Sequence, residues 1–355
     1  MRKFLIVKPS SFGDVIHTLP VVTAIAEQIN DCVIDWVVRP EFADVVSAHP
    51  AIRRLIMFDR EKWGRGSRVL QTAPELLRFT ASLRQAKYDA VLDLQGLFRS
   101  ALISSLSGAG VRVGFENARE WAPIFYTRKV AVPDVQIHAI DRYQLFLSAL
   151  GLEERPLDYG LRIPDDAVKR LETFLADSGV RPEKPLAVVN PNARWETKRW
   201  LPERFAALGD RLLTEAGVQV VFIGAPSEAA YVEELVSLSR EKLGNLAGAT
   251  SLMELAALLQ RADLMITCDS GPMHLAAAVG TPVVALFGPT DPVRTGPYGS
   301  GHHVITKGVD CAPCMKRSCS KERRECMAAI SVDEVLSHAR RCLKSSDNRV
   351  TKPSP

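Results

Sequence analysis

No apolar run in the 355-residue chain approaches the roughly 20 residues needed to span a bilayer. The amino terminus has one short apolar stretch and no small-residue cleavage site of the secretory kind. Both absences point to a cytoplasmic protein. Neither half carries G-x-G-x-x-G after a strand. That argues against a dehydrogenase, because a dinucleotide pyrophosphate needs close backbone approach at more than one glycine. The formal net charge is only +4, so nucleic acid is not an expected partner. Charge is nonetheless uneven: Arg53, Arg54, Arg60, Lys62, Arg65 and Arg68 crowd one stretch. They form either a solvated face, the favoured alternative, or a patch for an anionic acceptor or acidic membrane surface. Apolar residues at 46% and charged residues at 24% are ordinary for a soluble globular protein. The length exceeds one hydrophobic core, so two domains are expected.

What is present is an alternation of strand-like runs and helical patterns, the mark of parallel sheets flanked by helices. Strands are expected over 3–8, 33–38, 54–58, 88–93 and 110–115, with helices over 18–29, 40–47, 71–86, 97–107 and 137–150. Pro20 allows two starts for the first helix: near Leu19 with Pro20 in its first turn, or at Asp14 with a kink. Prolines 156, 164, 182 and 185 bracket one amphipathic helix over 165–178. The second half repeats the plan, with strands over 186–190, 218–223, 263–267 and 282–287. Its helices fall over 202–216, 227–241, 251–260, 271–279 and 331–344. The expected class is α/β, with an amino-terminal domain 1–160, a junction 161–184, a carboxy-terminal domain 185–345 and a disordered tail 346–355. Ligand is expected at the carboxyl ends of both sheets, in a cleft between the two domains.

Several strand ends carry chemistry. KPSSFGDVIH (8–17) follows the buried run Phe4–Val7 and places Asp14 three residues before His17. A carboxylate there suits proton abstraction from a substrate hydroxyl, although it also suits a helix cap. His17 can orient it or simply pack. TCDSGPMHLAAAVG (267–280) puts Asp269, Ser270, Gly271 and His274 at the start of a small-residue helix. Its free N–H groups favour an anion such as a sugar-nucleotide phosphate. Singly, Asp269 is equally a cap and His274 a half-buried ring. NPNARWETKRW (190–200) offers Lys198 and Arg199 to a leaving diphosphate, or to solvent. Glu228 in GAPSE can bind a ribose or serve the helix dipole. FGPTDP (287–292) offers Gly288, Thr290 and Asp291 to phosphate or sugar. DLQGLFRS (93–100) and ENAREWAPIFY (116–126) supply Gln95, Arg99 and Arg119, the arginines as carboxylate clamps. The acceptor side is therefore assigned Ser10, Gly13, Arg60, Gln95, Arg99 and Arg119.

These segments, in this order, resemble the bacterial lipopolysaccharide heptosyltransferases over roughly residues 1–345. That family consists of inverting glycosyltransferases with the two-Rossmann GT-B fold. DWVVRPEF and AREWAPIFYTRK look most like its type I members, which move a heptose from ADP-heptose to Kdo on lipid A. The resemblance implies Asp14 as base, and Lys198, Asp269, Ser270, Gly271 and His274 on the donor diphosphate. It also implies Glu228 on the ribose, no cofactor, a monomer, and work at the cytoplasmic face of the inner membrane. Cys311, Cys314, Cys319 and Cys326, spaced C-x2-C-x4-C-x6-C, depart from type I and look more like type II, whose acceptor is the first heptose. They are expected to be free thiols in a loop rather than a metal site, because the spacing matches no standard zinc module. A noncatalytic nucleotide-sugar-binding protein is the alternative from another class, and turnover of ADP-heptose with a Kdo-bearing acceptor separates the two.

Overall fold

The computed structural model describes residues 1–58, 69–134, 136–320 and 324–347. The chain forms two compact units, Met1–Arg162 and Ile163–Pro355.

In the first unit, strands β1 (Lys3–Val7), β2 (Val33–Val38), β3 (Ile52–Met57), β4 (Ala90–Asp93), β5 (Val111–Phe115) and β6 (Arg128–Val130) form one parallel sheet. Its order is β3-β2-β1-β4-β5-β6. Phe4 to Val7 are wholly buried without polar alternation, as a strand covered on both faces requires. Helix α1 (Phe12–Gln28) follows, and Ser11, not Asp14, is its N-cap. The helix runs through Pro20 rather than starting after it. Twelve of its residues are buried, so tertiary packing outweighs the backbone bond that proline removes. Gln28 donates to the Glu153 carbonyl at 2.9 Å and accepts from its N–H at 2.9 Å, tying the helix end down. Helices α2 (Ala43–Ser47), α3 (Val69–Ala86), α4 (Phe98–Leu106) and α5 (Ala139–Leu150) complete the unit. A 3-10 turn over Pro40–Phe42 takes the first half of the helix expected over 40–47. Strand β3 starts two residues earlier than expected. Its Arg53 forms two hydrogen bonds, 3.0 and 2.7 Å, to the fully buried Asp35 of β2, and Arg54 lies 3.1 Å from the same carboxylate. These two arginines therefore neutralise an internal acid while their side chains stay exposed, 50% and 42%, so the pair is also part of a solvated face. The other four basic residues of that stretch lie outside the described residues.

The second unit opens with α6 (Asp165–Asp177), whose Arg170 pairs with Glu254 of α9 (Leu252–Arg261). The helix expected in the junction thus packs within this unit. Strands β7 (Leu186–Asn190), β8 (Gln219–Phe222), β9 (Gly244–Asn245), β10 (Leu264–Cys268), β11 (Val283–Leu286) and β12 (His303–Ile305) are again all parallel. Their order is β12-β11-β10-β7-β8-β9. The remaining helices are α7 (Pro202–Ala216), α8 (Ala229–Ser237), α10 (Gly271–Ala278), α11 (Pro292–Thr295), α12 (Glu325–Ala328) and α13 (Val332–Asp347). Residues 346 and 347, expected to begin the tail, continue α13, and 348–355 lie outside the described residues. Trp200, Phe205, Leu208 and Leu212 of the α7 region pack under the sheet with Val335, Leu336 and Ala339 of α13.

Both sheets follow the doubly wound order, and each reverses direction once: between β1 and β4, and between β7 and β10. At such a reversal the loops leaving adjacent strands diverge, opening a crevice beyond their carboxyl ends.

Candidate active site

At the β7/β10 reversal, the loops after Asn190 and Cys268 converge. The Lys198 ammonium lies 2.6 Å from Asp269 Oδ2, and the Thr290 hydroxyl donates to the same oxygen at 2.7 Å. The two ion-pair side chains are only 16% and 7% exposed. Lys198 also sits over the Trp195 ring, 4.5 Å from its centroid. Asn190 Nδ2 donates to Ser270 Oγ at 2.9 Å, and Ser270 Oγ bonds Thr267 Oγ1 at 3.0 Å. Ser270 caps α10, so Gly271 begins that helix and the buried His274 lies one turn in. Asn192 is 2% exposed, yet among the described residues neither its side-chain amide oxygen nor its nitrogen has a hydrogen-bond partner. A buried amide left unpaired is costly unless a ligand completes it. The group of cation, hydroxyls, helix amino terminus and idle amide is suited to a polyanion carrying hydroxyls.

At the β1/β4 reversal, Asp14 occupies the first turn of α1. Its Oδ2 accepts from the Ser11 N–H at 3.2 Å and the Ser11 hydroxyl at 2.7 Å, and its Oδ1 accepts from Tyr143 of α5 at 2.8 Å. Lys8, 3% exposed, lies 3.6 Å from Oδ1 and donates to the Leu94 carbonyl at 3.0 Å and to Tyr143 Oη at 2.8 Å. Burial opposes ionisation of Asp14, but the Lys8 charge and the Ser11 and Tyr143 donors prevail and hold its carboxyl well below the usual range. Burial lowers the Lys8 ammonium, against the pull of Asp14 and Asp93. Burial and the Asp14 charge push the Tyr143 hydroxyl far up, so it remains a donor.

Beneath this turn, Asp93 Oδ1 accepts from the N–H groups of Gln95 and Gly96 at 3.0 and 3.1 Å, and Oδ2 accepts from Tyr126 at 2.8 Å. Complete burial raises the Asp93 carboxyl to about 6 despite these donors. Tyr126 reaches it by lying across β5, where a Cβ on Gly114 would fall 2.3 Å from the ring. Gln95 Oε1 in turn accepts from the Ser10 N–H at 3.3 Å.

The model of glycosyltransferase family 9 (heptosyltransferase) matches residues 76–324. The chain belongs to glycosyltransferase family 9. It is a glycosyltransferase, and its resemblance to heptosyltransferases extends beyond the matched segment. It is 34% identical to lipopolysaccharide heptosyltransferase 1 of Pseudomonas aeruginosa, over 91% of this chain and 89% of that protein. Among solved structures, a family 9 glycosyl transferase from Veillonella parvula superimposes with a TM-score of 0.82 at 26% identity, covering 97% of each chain. An E. coli heptosyltransferase, WaaC, with ADP superimposes with a TM-score of 0.77 at 29% identity, over 96% of this chain and 99% of that one. The family's GT-B architecture agrees with the two six-stranded sheets.

Within this family 9 chain, Lys198, Asp269, Ser270 and Thr290 stand together, with Gly271 and His274 on the helix that Ser270 caps. Glu228 differs: its Oε2 accepts from the Ala225 N–H at 2.8 Å and closes its own turn. In the other unit Ser10 and Gln95 meet, and Gly13 is buried in the first turn of α1. Arg99 and Arg119 are exposed. The Arg119 N–H donates to the Gly96 carbonyl at 3.1 Å, which ties its loop to the Gln95 turn. Arg60 lies outside the described residues. His17 is buried, with its ring edge-on to His138 at 5.4 Å.

Sequence reasoning missed Lys8, Tyr143, Asp93, Asn190 and Asn192 as site residues. A lysine directly after a four-residue buried run was a usable signal, since burial there demands an anionic partner. Tyr143 gave none, because its partner lies 129 positions away.

Proposed function

We propose that this glycosyltransferase transfers L-glycero-D-manno-heptose from ADP-heptose to Kdo on lipid A, in assembly of the lipopolysaccharide inner core. The observation that carries the donor assignment is the Lys198–Asp269–Thr290 cluster at the ends of β7, β10 and β11. The type 1 name of the Pseudomonas aeruginosa relative supports the acceptor. Lys198 and His274 face the diphosphate, together with the N–H groups of Ser270 and Gly271. Asp269 Oδ1 takes a sugar or ribose hydroxyl while Oδ2 remains on Lys198 and Thr290. Glu228 uses its second oxygen for the ribose.

Transfer proceeds as a single displacement that inverts the anomeric centre. The acceptor hydroxyl attacks the anomeric carbon, the bond to the diphosphate oxygen breaks, and ADP leaves with its charge met by Lys198. Asp14 takes the hydroxyl proton. A carboxylate held so ionised is a weak base, so the proton moves late, when bonding to an oxocarbenium-like carbon has made the hydroxyl acidic. Lys8, Tyr143 and Ser11 fix the orientation of Asp14. Ser10, Gly13, Gln95, Arg99 and Arg119, with Arg60, serve the anionic acceptor.

The acceptor is lipid-linked, and the first unit has a surface suited to that. Trp121 and Ile124 are 80% and 70% exposed, with Phe98 and Leu102 also exposed on the neighbouring helix and Arg99 and Arg119 nearby in sequence. Aromatic and basic side chains together favour a membrane interface with anionic headgroups. That surface supports the reading of an enzyme that works, as a monomer, at the cytoplasmic face of the inner membrane. The cysteine spacing favours a second reading, in which the acceptor is the first heptose. Mass-spectrometric turnover of ADP-heptose with acceptors truncated before and after the first heptose decides between them. Product from the Kdo-terminated acceptor alone supports the proposal, and product only from the heptose-terminated one overturns it.

A further inference from the structure

The four clustered cysteines have no role in the transfer just described, yet the fold brings them to one place. Cys311, Cys314, Cys319 and Cys326 all line a single cavity of about 20 Å³, with Thr197, Pro289, Ala312, Arg324 and Glu325. That volume admits one atom-sized occupant. None of the four is in a disulfide. Cys326 Sγ also lies 2.9 Å from where a Cβ on Gly288 would stand, so this sulfur is held against the loop that carries Thr290. We propose that these four thiols form a metal site for one thiophilic divalent ion, zinc or ferrous iron, in a tetrathiolate shell.

Four sulfur ligands with tetrahedral demand select such ions over calcium or magnesium. Binding exchanges four thiol protons for one M²⁺ and leaves a complex of net charge −2. The cavity-lining Arg324, which also lies 3.7 Å from Glu196, supplies compensating positive charge, and Glu325 opposes it. Among the described residues, no three His, Cys, Asp or Glu side chains form a preset metal-binding group. Binding therefore requires the thiols to turn inward on their loop, and Cys311 and Cys319 are exposed and free to do so. The same loop braces the donor site: the Met315 N–H donates to the Pro289 carbonyl at 2.8 Å, and the Thr197 hydroxyl donates to the Lys316 carbonyl at 3.0 Å. An ion here would fix the backbone on either side of Lys198 and Thr290.

The test is elemental analysis of the full chain purified without chelator, and again after incubation with excess Zn²⁺ or Fe²⁺ under reducing conditions. One ion per chain is expected, its identity separating zinc from iron, and the Cys314→Ser/Cys319→Ser variant should retain less than a tenth of it. Should that variant fail to fold, alkylation of the wild-type chain followed by peptide mass spectrometry provides the second readout. Metal should protect Cys311, Cys314, Cys319 and Cys326, with protection lost on chelation, while Cys32 reacts equally in both states. Less than about a tenth of an ion per chain after loading, or no metal-dependent protection of those four, overturns the proposal. Severalfold weaker ADP binding by the metal-free chain would follow only if the donor reading also holds. Metal content does not depend on that reading, so the two can fail separately.

Discussion

The Lys198–Asp269 pair should contribute measurably to the stability of the second unit, and a double-mutant cycle can separate that contribution from its role toward ligand. At 2.6 Å, two unit charges attract by about 6 kcal/mol at an effective dielectric of ~20. Desolvating both ions offsets several kcal/mol of this, so the expected net coupling is about 2–3 kcal/mol. Asp269→Asn and Lys198→Met should each destabilise by about 3 kcal/mol, because each leaves one buried partner uncompensated. The double variant should lose only about 3–4 kcal/mol rather than the sum of ~6. Urea unfolding followed by circular dichroism supplies the four free energies at one pH and salt concentration. Calorimetric titration with ADP on the same four proteins gives the second axis. The second substitution adds little further loss of stability, whereas ADP affinity stays about 10- to 100-fold down in both proteins that lack Lys198. A coupling below about 0.5 kcal/mol, within the error of such cycles, would refute the pair as the organising contact of the donor site.

Asp14→Asn should lower turnover by roughly 10²–10⁴ while ADP binding stays within about twofold, and near-normal turnover would remove Asp14 from the chemistry. Asn192→Ala should leave stability within about 0.5 kcal/mol, since neither amide atom is paired in the fold, yet weaken ADP binding about tenfold; a stability loss with unchanged binding reverses that assignment. Asp93, raised to about 6 from an unfolded value near ~3.9, favours folding most below that unfolded value, and the contribution fades as pH rises through the folded one. Tyr126→Phe removes a donor that matters more to the ionised carboxylate. Its cost should be about 1.5–3 kcal/mol at pH 8 and nearer 1 kcal/mol at pH 5, and equal losses in thermal melts at both pH values would contradict it.

Much of this architecture was legible because the central strands are continuous apolar runs. Phe4–Val7, Ala90–Asp93 and Leu264–Cys268 cannot be anything but covered strands once helical patterns flank them. The short edge strands β6, β9 and β12 escaped, since two or three residues carry no period. The run of Pro40–Phe42 into α2, and of Pro226–Glu228 into α8, blurred helix starts because 3-10 turns share the helical pattern. For the site, the strand-end turns were visible in Asp14 and Asp269, whose types are unusual beside apolar runs. What holds Asp14 was not visible, because Tyr143 and the buried Lys8 reach it only in the fold; nor were Asp93 with Tyr126, and Arg53 with Asp35, pairings that only the folded register creates. The arginine-rich stretch shows the cost of reading charge without partners. Arg53 and Arg54 are exposed, as expected, but they also close an ion cluster around a buried acid.

Asp14 belongs to the helix start as much as to any reaction. Its carboxylate completes the first turn of α1 through Ser11 and gives the buried Lys8 its counter-charge. Losing such a contact costs a folded protein roughly 0.5–2 kcal/mol from the cap alone. A duplicated descendant that had ceased to transfer sugar would therefore keep this aspartate under selection for folding. Its presence in a relative certifies the helix, not the activity. The better marker of a living enzyme is a side chain whose polar atoms make no bond in the fold, and Asn192, whose amide atoms have no partner among the described residues, is the one that such a silent lineage would be free to lose first.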